Sequence, residues 1–358
     1  MILTVTLNPC IDHTAEVDRL LPGATNRVVS SRRDPSGKGI NVSIVLRHLG
    51  AETLCLGVSR AENGGLLGAV LEQNRIPHDF YCAPGRLRVN LKLFDRSTGV
   101  MTECNEKGEV LPESCLNGFL ELAERYLPSA TLLVLSGSVP PGVPDTIYRM
   151  LGERAAACGV PTVLDASGPL LWEGLRAAPV LIKPNLDELR ETFGVEAATH
   201  REIVQVSRSL LEKTGVRVLC VSMGGDGAIL VTKDEAWYSP GSPVAVRGVQ
   251  GAGDSMVAGL CLGLLHGAGP RELLCGAVAA AQGSLEKSGT LLCEREDFYR
   301  IRPSIPAEPI TDRPQKAGGD ILLWCSRPLF VFGFSRLSAH MPVQAFGESL
   351  TGSREPSK

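Results

Sequence analysis

The 358-residue sequence predicts an α/β fold, a doubly wound and mostly parallel sheet with a small second sheet acting as a lid. Short β-branched or leucine-rich runs alternate with helix-length segments, the pattern of successive βαβ units. Hydrophobic residues make up 44% of the chain and its net charge is only -3, so a large core can form and general disorder is excluded. Two polar, extended stretches, 10–33 and 86–105, interrupt the alternation and read as the separate small sheet.

Taken in order, the first strand is expected at 2–7 and the first lid stretch follows it. A helix is expected at 40–49, where Val42, Val45, Leu46 and Leu49 share a face and Gly50 stands at the C-terminal cap. A strand at 53–58 and a helix at 64–74 come next. In the second lid stretch Val89, Leu91 and Leu93 alternate with Asn90, Lys92 and Phe94, which predicts strands with one wet face. Further strands are expected at 131–135, 162–165, 180–182, 217–222 and 228–232. Helices are expected at 116–126, 144–158, 186–193, 201–213, 254–265 and 271–286. Residues 1–303 then form one domain. The proline-rich remainder, 304–358, shows no sustained period and is expected to be a poorly ordered tail.

Composition narrows the function. With 36 basic against 39 acidic residues there is no excess of cations to neutralise a nucleic-acid backbone. No apolar run reaches the ~18 residues of a membrane span, and the start lacks the basic region of a signal peptide. The eleven cysteines are scattered singly without a C-x-x-C pair, which disfavours a zinc site and points to reduced thiols in the cytoplasm.

Four motifs are candidates for chemistry. Asp34-Pro35-Ser36-Gly37-Lys38-Gly39-Ile40-Asn41 opens a helix. Its glycines let a ligand approach the backbone, Lys38 suits a phosphate and Asn41 a sugar hydroxyl. A turn with a helix cap explains the same residues. Gly251-Ala252-Gly253-Asp254-Ser255 opens another helix. Bare amides at its positive end suit a transferring phosphoryl group, and Asp254 suits a proton acceptor, against the alternative that Asp254 merely caps the helix. In Lys183-Pro184-Asn185-Leu186-Asp187-Glu188, Asn185 and Glu188 either hold magnesium through water or form a capping box. Ser222-Met223-Gly224-Gly225-Asp226-Gly227 either borders a nucleotide or is a plain hairpin turn. Asp12 stands past a strand end, where it suits sugar hydroxyls or a turn. Arg88 and Lys92 are either solvated lid charges or ligands of a sugar phosphate. No G-x-G-x-x-G follows the first strand, which disfavours a NAD-linked dehydrogenase.

In this order the motifs resemble the ribokinase-like sugar kinases, the phosphofructokinase B family, over residues 1 to about 305. Gly37-Lys38-Gly39-Ile40-Asn41-Val42 is similar to the family's N-terminal signature and Gly251-Ala252-Gly253-Asp254-Ser255 to its C-terminal one. Asn8-Pro9 with Asp12, Arg88-Val89-Asn90-Leu91-Lys92, Ser136-Gly137-Ser138 and Lys183-Pro184-Asn185 resemble the 1-phosphofructokinase branch, with the tagatose-6-phosphate kinase branch nearly the same. The resemblance implies an ATP- and Mg²⁺-dependent kinase that converts fructose 1-phosphate to fructose 1,6-bisphosphate. Tagatose 6-phosphate and fructose 6-phosphate are the alternative acceptors, and a non-catalytic sugar-phosphate sensor is the rival of another class. It implies Asp254 as base, with Gly251, Ala252 and Gly253 as the anion hole. Asp12, Gly37, Lys38, Asn41, Arg88, Lys92 and Ser138 would hold the sugar phosphate. Lys183, Asn185, Ser222, Gly224 and Gly227 would line the ATP site, and Glu188 would stand near the magnesium. It also implies a homodimer formed through the lid. The sequence departs from the family at Ser36, at Cys10 and at Gly248-Val249-Gln250, where a hydroxyl residue, Thr or Ser, and Val are usual.

Overall fold

The computed structural model describes residues 1–241 and 244–311. Among these the strands are β1 (Ile2–Thr6), β2 (Cys10–Val17), β3 (Val28–Ser36), β4 (Thr53–Arg60), β5 (His78–Ala83), β6 (Arg88–Asp95), β7 (Val100–Asn105), β8 (Leu132–Ser136), β9 (Thr162–Asp165), β10 (Leu181–Ile182), β11 (Val218–Ser222), β12 (Ala228–Val231), β13 (Ala236–Ser239) and β14 (Glu308–Pro309). The helices are α1 (Lys38–His48), α2 (Gly65–Gln73), α3 (Glu113–Tyr126), α4 (Ile147–Ala157), α5 (Gly168–Gly174), α6 (Leu186–Phe193), α7 (His200–Thr214), α8 (Ala252–Leu265), α9 (Pro270–Leu285) and α10 (Arg295–Ile301).

The main sheet runs β14-β13-β12-β11-β10-β9-β8-β1-β4-β5. It is parallel from β5 to β11 and antiparallel from there to β14. All five residues of β1 are buried, as a strand covered on both faces requires. Successive side chains go to opposite cores. Ile2, Leu132 and Val134 join the one built on α1, α8 and α9. Leu3, Val5, Leu133 and Leu135 join the one built on α3, α4 and α7.

Chain direction sets the position of the site. From β1 the chain moves outward through β4 to β5, then returns to lay β8 on the other flank of β1. The crevice at the carboxyl ends of β1 and β8 is therefore a topological switch point, where open α/β sheets bind ligands.

The two polar stretches do form a separate sheet, ordered β3-β2-β6-β7, parallel between β2 and β6 and antiparallel outside them. Its burial inverts the expected pattern. Asn90 and Lys92 are buried, whereas Val89, Leu91 and Leu93 are only half-buried. The polar face is the covered one because it forms the wall of a cavity.

Three strands and two helices are not expected from the sequence. β5 is of mixed polarity, β13 has four residues and β14 two, and α5 and α10 have seven each, too few for a period to show. The sheet also takes in chain beyond the expected domain end at 303. β14 pairs with β13 through Trp237–Pro309 and Tyr238–Glu308, and Ile305 is buried in the core. The rest of the expected tail, 312–358, lies outside the described residues.

Candidate active site

Two helix N-termini meet above the switch point. α1 begins at Lys38, hard against β1. A Cβ on Gly39 would lie 2.5 Å from the Val5 carbonyl oxygen and 2.6 Å from Thr6 Oγ1, so glycine here permits the close approach of helix to strand. The first bond of α1 runs from Asn41 N to Gly37 O at 2.8 Å. α8 begins after Gly251, whose φ of 71° is the left-handed turn that glycine favours. Its first bond runs from Ser255 N to Gly251 O, also 2.8 Å. The N–H groups of Ala252, Gly253 and Asp254 lie ahead of that bond, at the positive end of a 14-residue helix. Gly253 leaves that end open, since a Cβ there would meet nothing nearer than Lys183 Nζ at 3.9 Å.

Asp254 does not cap α8. Its Oδ2 instead accepts a 2.7 Å hydrogen bond from Asn41 Nδ2, which ties the two N-termini together. The side chain is 7% exposed. Burial raises its carboxyl above the ordinary Asp range, and the Lys38 charge opposes the rise.

Lys38 is held by a residue that sequence reasoning missed. Asp165, at the end of β9 and 1% exposed, takes Lys38 Nζ at 3.2 Å on one oxygen and Lys183 Nζ at 3.2 Å on the other. Ser136 Oγ adds a 3.0 Å bond. Burial alone would raise the Asp165 carboxyl, but the two ammonium groups outweigh it and hold it at about 2. The Asp165 charge in turn raises Lys38 above the ordinary lysine range. One carboxylate between two lysines leaves a net positive charge beside the α8 N-terminus. No local motif marks Asp165. The signal that could have found it is its place at the carboxyl end of a predicted central strand.

The lid supplies a second network. Lys92 Nζ lies 3.1 Å from Asp12 Oδ2, and both side chains are buried. Asn90, also missed, donates to Asp12 Oδ1 at 3.0 Å and to Cys10 Sγ at 3.2 Å. Arg88 donates to Asn90 Oδ1 at 3.1 Å and to the Asn8 carbonyl at 3.1 Å. Burial, then the Asp12 charge, pushes the Cys10 thiol up to about 12, so it stays protonated and is no nucleophile.

These groups surround three adjoining cavities. One of about 280 Å³ is lined by Asp12, Gly37, Asn41, Lys92 and Asp254, with Lys38 and Arg88. A second, about 360 Å³, also touches Lys38 and Arg88 and holds Ser138 and Glu188. The expected sugar-phosphate residues thus divide between two chambers that share their cations. The third, about 590 Å³, is lined by Asn185, Ser222, Gly224 and Gly227, and reaches Ala252 and Gly253. The N-terminus of α8 is the wall between the first chamber and the third.

Two expected residues stand apart from that third chamber. Lys183 is buried behind it against Asp165. Glu188 faces the second chamber and forms the capping box, its Oε2 accepting from Asn185 N at 2.8 Å while Asn185 Oδ1 accepts from Glu188 N at 2.7 Å. Among the described residues no three His, Cys, Asp or Glu side chains are grouped to hold a metal ion, all ten cysteines are free, and no helix is long and apolar enough to cross a membrane.

A family model described as pfkB family carbohydrate kinase matches residues 5–297, and the chain belongs to that family. A 1-phosphofructokinase of Xanthomonas campestris pv. campestris is 36% identical over 283 residues, 78% of this chain and 88% of the relative. A D-tagatose-1-phosphate kinase of Bacillus licheniformis is 34% identical over 259 residues, 72% of this chain and 84% of the relative. Among solved structures, phosphofructokinase-2 from Escherichia coli in complex with potassium superposes with a TM-score of 0.80 at 27% identity, over 85% of this chain and 98% of that one.

Proposed function

We propose that the protein transfers the γ-phosphoryl group of ATP to the C6 hydroxyl of fructose 1-phosphate, giving fructose 1,6-bisphosphate and ADP. The observation that carries this reading is the Asn41–Asp254 pair on the wall between a cation-lined polar chamber and a larger chamber edged by glycine turns. In the reaction the sugar hydroxyl loses its proton to the Asp254 carboxylate as its oxygen attacks the γ-phosphorus. The bond from that phosphorus to the β–γ bridging oxygen breaks, and ADP leaves. The amides of Ala252, Gly253 and Asp254 take the charge on the three equatorial oxygens, helped by Lys38. Burial raises the Asp254 carboxyl and so makes its carboxylate a stronger base than an ordinary aspartate, while the Lys38 charge favours the ionised form. The lid keeps water out while the hydroxyl competes for the phosphoryl group.

ATP as donor is supported by the family and by the chamber at Ser222, Gly224 and Gly227. Magnesium suits a donor set of few carboxylates plus substrate phosphates, since it keeps most of its waters, and Glu188 on the second chamber would supply the carboxylate. Bound there, it would neutralise phosphate charge. Exposed Val28 and Val29 on β3 and Val100 on β7, the two outer strands of the lid, support pairing of two copies through it. The free thiols support work in the cytoplasm.

The acceptor is read from the relatives' names together with the cations over the sugar chamber. Rates of ADP release with fructose 1-phosphate, tagatose 1-phosphate, tagatose 6-phosphate and fructose 6-phosphate test it. The highest kcat/KM is expected for fructose 1-phosphate. A higher value for another ketose phosphate reassigns the acceptor, and no ADP release with any of them leaves the sensor reading.

A further inference from the structure

We propose that Gln250 is a specificity-determining residue whose carboxamide hydrogen-bonds a hydroxyl of the bound ketose phosphate, an inference that rests on the kinase reading above. Gln250 lies one residue before Gly251 and lines the 280 Å³ chamber together with Asp254, Asn41 and Asp12. Its neighbour Val249 lines the nucleotide-side chamber instead, so the segment that departs from the family sends successive side chains to opposite sides of the wall.

Two carboxylates of this chamber are already committed. Asp12 is held by Lys92 and Asn90, and Asp254 by Asn41. Among the described residues the Gln250 Oε1 has no hydrogen-bond partner and is closed off from solvent. A buried amide oxygen without a partner is costly and calls for a reason. The terminal torsion of glutamine is broad, so the amide can turn either end to the cavity at little cost. A sugar hydroxyl both donates and accepts, and satisfies whichever end it meets. The phosphate of the substrate is drawn to the cations Lys38 and Arg88, which leaves the hydroxyls of the ketose for a neutral amide. With the amide turned toward the chamber, binding gives that oxygen a hydrogen bond it otherwise lacks, so the site should reject a sugar lacking that hydroxyl more strongly than a wall of apolar residues would.

The test is steady-state kinetics of the full-length protein and of Gln250→Met, which keeps the volume and removes both amide atoms, with thermal melts alongside. Gln250→Ala makes the same deletion should the methionine variant not fold. The variant is expected to raise KM for the preferred ketose phosphate about tenfold, the ~1.4 kcal/mol of one hydrogen bond, with KM for ATP within about twofold of the wild type. On a panel of monodeoxy ketose phosphates, the wild type should lose about the same factor on one analogue, and the variant nothing further on it. An unchanged sugar KM overturns the proposal, as does an equal rise in both KM values, which would mean a disturbed loop. A wild type inert toward every ketose phosphate would instead overturn the kinase reading, and this inference with it.

Discussion

Burial raises the Asp254 carboxyl and the Lys38 charge opposes the rise, a coupling with a measurable sign. The base must be deprotonated, so kcat/KM should fall as pH drops through its raised pKa, on an acid limb above the ~3.9 of an ordinary aspartate. Lys38→Met removes the cation that holds Asp254 down, so the limb should move to higher pH. Asp254→Asn should abolish the limb and lower kcat by ~10²–10⁴ without loss of the fold. Near-wild-type turnover in that variant would remove Asp254 from the chemistry. Asp165 works through stability as well. Its carboxyl is lowered, so its contribution is present above the unfolded pKa of ~3.9 and is lost as pH falls toward about 2. Asp165→Asn strands the buried Lys183 and should cost ~3–5 kcal/mol in urea titrations at pH 7, with a flatter loss of stability on the acid side.

At the scale of elements, the junction of β1 with α1 has the least room to change. Gly39→Ala places a methyl 2.5 Å from the Val5 carbonyl oxygen, and backbone cannot yield as a flexible side chain can. A cost of roughly 1–3 kcal/mol is expected in chemical denaturation, with a higher sugar KM because Lys38 and Asn41 ride on the same turn. The glycines of this motif suggest approach of a ligand to the backbone, but the structure assigns Gly39 to packing against β1. The capping box at Asn185 and Glu188 was equally legible in the spacing, and it formed. In β6 the alternation was legible and its direction was not. Period two tells which residues share a face, while burial of Asn90 and Lys92 depends on Asp12 and Cys10 arriving from β2, some 80 residues earlier in the chain.

For the whole molecule, the three cavities predict separable footprints. A ketose phosphate should slow amide exchange in β2, β6 and the first turn of α1. An unreactive ATP analogue should slow it at 222–227 and leave β6 unchanged, and both ligands should protect 251–254. Protection of β6 by the nucleotide alone would contradict the division of the chambers.

Local sequence determined what depends on near neighbours: the alternation of strands and helices, the two glycine-led helix starts, and the residue types able to hold phosphate and take a proton. Those signals are local because helix starts, caps and turns involve residues within a few positions of one another. The tertiary structure alone decided which of these groups meet. It joined Asn41 to Asp254, set Asp165 between Lys38 and Lys183, turned the polar face of the lid inward, and left Gln250 Oε1 without a partner among the described residues. Each of these is a contact between elements far apart in the chain, set by the order of strands in the sheet, and no local pattern encodes that order.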